Sequence, residues 1–151
     1  MQLYILRHGD APYNALKRER CLSAVGRTET LRIAERHATE LAAVPLIVCS
    51  PVRRARETLA VLEQSLPVSA EVLFHDCLRS ESRIQAVEAF MDNLNADVVL
   101  FVSHQPLVGQ MLNYLTDQQS AGMAMGTSCL AHLDLIAFGR GCASLRWLDC
   151  P

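Results

Sequence analysis

A chain of 151 residues, half of them apolar, is long enough for one compact domain spanning residues 1–151 and rich enough in apolar side chains for a continuous core. Fourteen Lys and Arg stand against sixteen Asp and Glu, so a formal charge of −2 creates no global attraction to nucleic acid or an anionic membrane, and any recognition of phosphate must be local. No apolar run approaches the roughly 20 residues of a membrane span, and Met1 to Leu6 leads straight into Arg7-His8 without a cleavable apolar leader, so neither membrane nor nucleic acid is an expected partner and the expected location is cytoplasmic.

The first predicted element is a strand over Gln2 to Leu6, followed by Arg7-His8-Gly9-Asp10. Val25, Thr28, Leu31, Ala34, Ala38 and Leu41 then recur at helical spacing. A second strand, Leu46 to Cys49, runs into Ser50-Pro51-Val52-Arg53-Arg54, where Ser50 suits a helix cap and Pro51 the first helical position. The helix it would open carries Val52, Ala55, Leu59, Leu62 and Leu66. Val72 to Phe74 reads as a third strand, Ile84 to Leu94 as a helix, and Val98 to Val102 as a fourth strand that ends in Ser103-His104-Gln105-Pro106. A last helix holds Leu107, Val108, Met111, Leu112 and Leu115. From Cys129 the period changes to two, and Ala143, Leu145 and Trp147 repeat it beyond Phe138-Gly139-Arg140-Gly141, as in an antiparallel hairpin.

Apolar runs without polar alternation suit strands buried on both faces. The expected architecture is therefore a three-layer α/β/α sandwich with a mostly parallel central sheet and an antiparallel C-terminal hairpin or edge strand. Six cysteines (Cys21, Cys49, Cys77, Cys129, Cys142, Cys150) form no CxxC pair and no cluster with zinc-ligand spacing, so reduced thiols are expected.

In open α/β sheets ligands bind beyond the carboxyl ends of the strands. Here three such ends carry two histidines and three arginines. Helix starts favour an anion, arginine forks match phosphoryl oxygens, and a neutral imidazole nitrogen can attack phosphorus. His37, His75 and His132 fall mid-helix, in a loop and on a polar strand face, and are assigned no chemistry.

Leu6-Arg7-His8-Gly9 after an N-terminal strand resembles the signature of the histidine phosphatase superfamily, also called phosphoglycerate-mutase-like. Ser50-Pro51-Val52-Arg53-Arg54-Ala55-Arg56-Glu57-Thr58, Ser103-His104 and Leu22-Ser23-Ala24-Val25-Gly26 resemble its further motifs, in order and over almost the whole chain. Within the superfamily, Arg7 to Ala11, Arg20-Cys21-Leu22-Ser23, Ser103 to Gly109, Thr127-Ser128 and the short length resemble the SixA-type phosphohistidine phosphatases.

The resemblance implies a phosphohistidine nucleophile at His8, phosphate ligands at Arg7 and Arg54, and a further ligand at His104. Arg53 is set aside because the family's arginine directly precedes the alanine, here Ala55. Ser103 and Gln105 would assist in the pocket, and Gly9 would let the backbone turn tightly beside His8. Asn14, six residues after His8, fits a broader phosphatase and mutase pattern. Asp76 and Glu81 are weak matches to the general acid of many members.

The implied substrate is a phosphorylated histidine-containing protein, in a phosphotransfer relay or phosphotransferase system. Phosphate or another anion is an expected occupant, with neither metal nor other cofactor required. A small-molecule phosphomonoesterase and a non-catalytic phosphoprotein-binding module are the alternatives.

Overall fold

The computed structural model describes residues 1–67, 69–118 and 124–151. Strand β1 (Gln2–Arg7) leads to helices α1 (Ala24–Arg36) and α2 (Ala38–Ala42). Then come β2 (Leu46–Cys49), α3 (Arg53–Ser65), β3 (Glu71–Phe74) and a single 3-10 turn, Asp76–Leu78. The chain continues through α4 (Ile84–Met91), β4 (Val98–Ser103), α5 (Leu107–Thr116), β5 (Leu130–Leu135) and β6 (Ala143–Asp149). No helix among the described residues is long and apolar enough to cross a membrane.

The strands form one sheet in the order β3-β2-β4-β1-β5-β6. Strands β3, β2, β4 and β1 run parallel, and β5 and β6 complete the sheet antiparallel, giving the mixed α/β architecture expected. Alternate side chains of β1 serve two cores. Leu3 and Ile5 pack with Phe101 and with Leu107, Met111 and Leu112 of α5, while Tyr4 and Leu6 pack with Ile33 and Ala34 of α1 and Leu59 and Leu62 of α3. Burial on both faces explains why β1, β2 and β4 lack polar residues at every second position.

Two local expectations are corrected. The helix read through Leu41 breaks at His37, where the ring stacks on Trp147 at 4.2 Å and Nε2 lies 2.8 Å from Asp149 Oδ2. His132 lies on the strand face it shares with Asp134, and its ring stacks on Tyr4 at 4.3 Å. Helix α3 starts at Arg53 with Val52 as its N-cap, so Ser50 makes no cap and its hydroxyl is used elsewhere.

The reading of six reduced thiols is also corrected, because Cys129 and Cys150 are joined by a disulfide. The β5–β6 register sets Leu130 opposite Asp149, so the next residue outward on each strand meets its counterpart. Nothing in a spacing of 21 residues announces that register. Cys21, Cys49, Cys77 and Cys142 are free.

Candidate active site

Three neighbouring parallel strands deliver their carboxyl ends to one place. The His8 N–H donates to Ser103 O at 2.9 Å and the Ser50 N–H to Val102 O at 2.9 Å, stitching the three strand ends together. Antiparallel β5 brings its beginning to the same end, where the Arg7 N–H donates to Cys129 O and the Ser128 N–H to His8 O.

His8 is 3% exposed. Its Nδ1 lies 2.7 Å from Gly9 O; a carbonyl only accepts, so Nδ1 carries the proton and Nε2 keeps its lone pair. The Arg54 Nε–H points at that lone pair from 3.1 Å. Burial first, and then the charges of Arg54, Arg7 and Arg20, push the His8 pKa down to about 4 against the opposing pull of Gly9 O. The imidazole is therefore neutral and nucleophilic at pH 7.

Arg54 stands in the first turn of α3, which would cost stability beside a helix N-terminus without an anion to balance it. Thr58, one turn on, donates its hydroxyl to Arg54 O at 2.8 Å and accepts the Gly9 N–H at 3.0 Å. This hydroxyl ties the helix carrying Arg54 to the segment carrying His8. Arg7 donates from Nη1 to Met125 O at 2.6 Å, while its Nε is buried with no protein partner among the described residues. Burial first and Arg20 second lower the pKa of both Arg7 and Arg54, and both stay charged.

His104 is fully buried, with its ring centroid 5.0 Å from that of His8. Nε2 lies 2.7 Å from Ser50 Oγ and Nδ1 has no partner among the described residues. Burial, followed by Arg54 and His8, takes its pKa down to about 3. Two imidazoles and two guanidiniums thus converge, with buried Arg7 Nε and His104 Nδ1 unmet by any of the described residues. A tetrahedral oxyanion offers the acceptors such a pocket lacks.

The remaining candidates are placed as follows. The Ser103 hydroxyl donates to Leu78 O at 2.7 Å, and Gln105 Oε1 accepts the Gly109 N–H at 2.9 Å in the first turn of α5. Asn14 is exposed and accepts the Leu16 N–H at 2.9 Å. Asp76 pairs with Arg79 at 2.6 Å, whereas Glu81 acts electrostatically on Arg54. Gly9 is not in a left-handed conformation, since among the described glycines only Gly141 has positive φ. Its requirement is close approach: a Cβ there would sit 2.7 Å from Leu22 Cδ1 and 2.9 Å from Gly26 O.

Arg20 was not among the site residues expected from the sequence. Its Nε donates to Ala11 O at 2.6 Å, and its charge is felt at His8, His104, Arg7 and Arg54. The signal was the Arg20-Cys21-Leu22-Ser23 run itself. Among the described residues no group of three or more His, Cys, Asp or Glu could hold a metal ion.

The family model of the histidine phosphatase superfamily (branch 1) matches residues 3–81. The chain belongs to this superfamily. One relative, the phosphohistidine phosphatase SixA of Escherichia coli (strain K12), is 31% identical over 157 residues, covering 100% of this chain and 94% of that protein. The solved structure of the protein histidine phosphatase SixA complexed with tungstate superposes with a TM-score of 0.87 at 26% identity, over 100% of this chain and 97% of the other. A mycobacterial glucosyl-3-phosphoglycerate phosphatase shares the fold at 20% identity, with a TM-score of 0.75 over 99% of both chains.

Proposed function

We propose that residues 1–151 form one phosphohistidine phosphatase domain that removes the phosphoryl group from a histidine on another protein through a phosphohistidine at His8. The observation that carries this reading is the bare Nε2 of His8, left so because Nδ1 donates to Gly9 O, with Arg54, Arg7 and His104 around the ring. Full-length similarity to a phosphohistidine phosphatase supports the substrate class.

The substrate's phosphoryl oxygens take over the N–H groups of Arg54 and Arg7, which frees the Nε2 lone pair for in-line attack. A bond forms between Nε2 and phosphorus as the bond to the substrate's imidazole breaks, and that imidazole leaves. Water then attacks the phosphoenzyme, releasing inorganic phosphate and restoring His8. Arg7, Arg54, Arg20 and the His104 ring hold the charge that spreads over the oxygens in the loose transition state. An imidazole leaves more easily than an alkoxide, so the reaction needs less from a general acid in the Asp76 to Glu81 stretch. The same reading places the protein in the cytoplasm, where phosphotransfer proteins receive their phosphoryl groups, and there the Cys129–Cys150 bond would meet a reducing glutathione pool.

The test is incubation with a phosphorylated histidine-containing phosphotransfer protein. Expected are an acid-labile phosphoenzyme, loss of turnover in His8→Ala, activity retained in chelator, and a kcat/KM above that for sugar or aromatic phosphates. Turnover persisting without label on His8 would overturn the assignment.

A further inference from the structure

The Ser50 hydroxyl oxygen lies 2.7 Å from His104 Nε2 and 3.4 Å from the amide nitrogen of Val52. Ser50 is fully buried, so its one proton needs a protein acceptor. Val52 N–H can only donate, which makes Oγ the acceptor on that side and leaves the ring nitrogen to accept on the other. An Nε2 that accepts is unprotonated, and a neutral imidazole then carries its proton on Nδ1. That Nδ1 is the buried ring nitrogen with no partner among the described residues.

We propose that Ser50 is a positioning residue for phosphoryl transfer: its O–H locks His104 in the Nδ1–H form, so that the second histidine meets the phosphoryl oxygens as a neutral hydrogen-bond donor. The inference rests on the phosphatase reading and adds to it the group that sets a tautomer. In the opposite tautomer His104 would turn a lone pair toward an anion, and the pocket would lose a donor while gaining a repulsion. Ser50 acts through His104, with no contact to substrate required.

Long-range proton–nitrogen correlation spectra of nitrogen-15-labelled protein read the tautomer directly. Wild type should show a protonated Nδ1 and bare Nε2 at His104, and Ser50→Ala, which removes a single buried oxygen, should populate the other form. The same substitution should lower kcat by about 10- to 100-fold, yet change it less than twofold in a His104→Ala background. A protonated Nε2 in wild type overturns the proposal. So does an unchanged tautomer in Ser50→Ala, or equal losses in the two backgrounds, which would make Ser50 merely structural. Failure to label His8 in wild type would instead remove the phosphatase reading, while the tautomer spectra still decide what Ser50 does.

Discussion

At His8 protonation is governed by burial first, which together with the charges of Arg54, Arg7 and Arg20 outweighs the opposing hydrogen bond to Gly9 O. The folded pKa, about 4 for His8 and about 3 for His104, lies below the ~6.5 of an exposed histidine in the unfolded chain. Between these limits the unfolded chain binds protons that the folded chain refuses, so stability is intact above pH 6.5 and is lost as pH falls toward 4. Each of the two rings removes about 1.4 kcal/mol per pH unit in that window. Nuclear magnetic resonance titration of the ring Cε1–H signals should show no transition for either ring from pH 8 to 5, and urea unfolding should give a lower midpoint at pH 5 than at pH 7. A titration midpoint near 6.5 for His8 would rule out a neutral nucleophile held by burial. His8, Arg7, Arg54 and His104 were legible in the sequence because each lies at or just beyond a strand end in a recognisable run. Arg20 was not marked as a site residue, since it lies in an irregular stretch whose position against the site depends on tertiary contacts such as its bond to Ala11 O. The partners of Thr58 and Ser50 lie 49 and 54 residues away, and no local pattern reports them.

Between β1 and α1, residues 8–23 form an irregular segment held by its neighbours rather than by its own hydrogen-bond ladder. The Leu22 N–H donates to Glu57 Oε2 on α3 at 2.6 Å, and Ser23 donates from its backbone and hydroxyl to Asp10. The first turn of α1 lies so close that a Cβ at Gly26 would meet the Asp10 backbone oxygen and come within 2.7 Å of its nitrogen. Backbone cannot yield as a side-chain tip can, so Gly26→Ala should destabilise by about 1–3 kcal/mol and slow turnover by displacing the segment that positions His8. Chemical denaturation and steady-state kinetics check the two effects, and an unchanged unfolding midpoint would mean that α1 can retreat without cost. Helical periodicity revealed α1, α3, α4 and α5. It could not reveal the break at His37, which coincides with contacts to Trp147 and Asp149 more than 100 residues away. A Ser-Pro pair resembles a helix start, and the true start two residues later leaves the Ser50 hydroxyl for His104.

Across the whole molecule, period-two and unbroken apolar runs distinguished the antiparallel end of the sheet from its parallel body. The order of strands and the Cys129–Cys150 bond depend on register between distant segments, which composition does not encode. That bond closes a loop spanning 21 residues and should stabilise the fold by about 3 kcal/mol. Thermal unfolding with a phosphine reductant, compared with Cys150→Ser, should show the same lowered Tm in both cases, and a reductant that leaves Tm unchanged would show that the bond adds nothing. The pocket gathers chain from positions 7–10, 50–54, 103–105 and 125–128, because three strands leave at the end of the sheet where β5 arrives. Catalysis in this protein is consequently indivisible. A fragment ending at residue 81, though it spans the stretch the family model matches, would own His8 and Arg54 but lack the His104 ring, the Met125 oxygen that steadies Arg7, and both strands, β4 and β5, that flank β1.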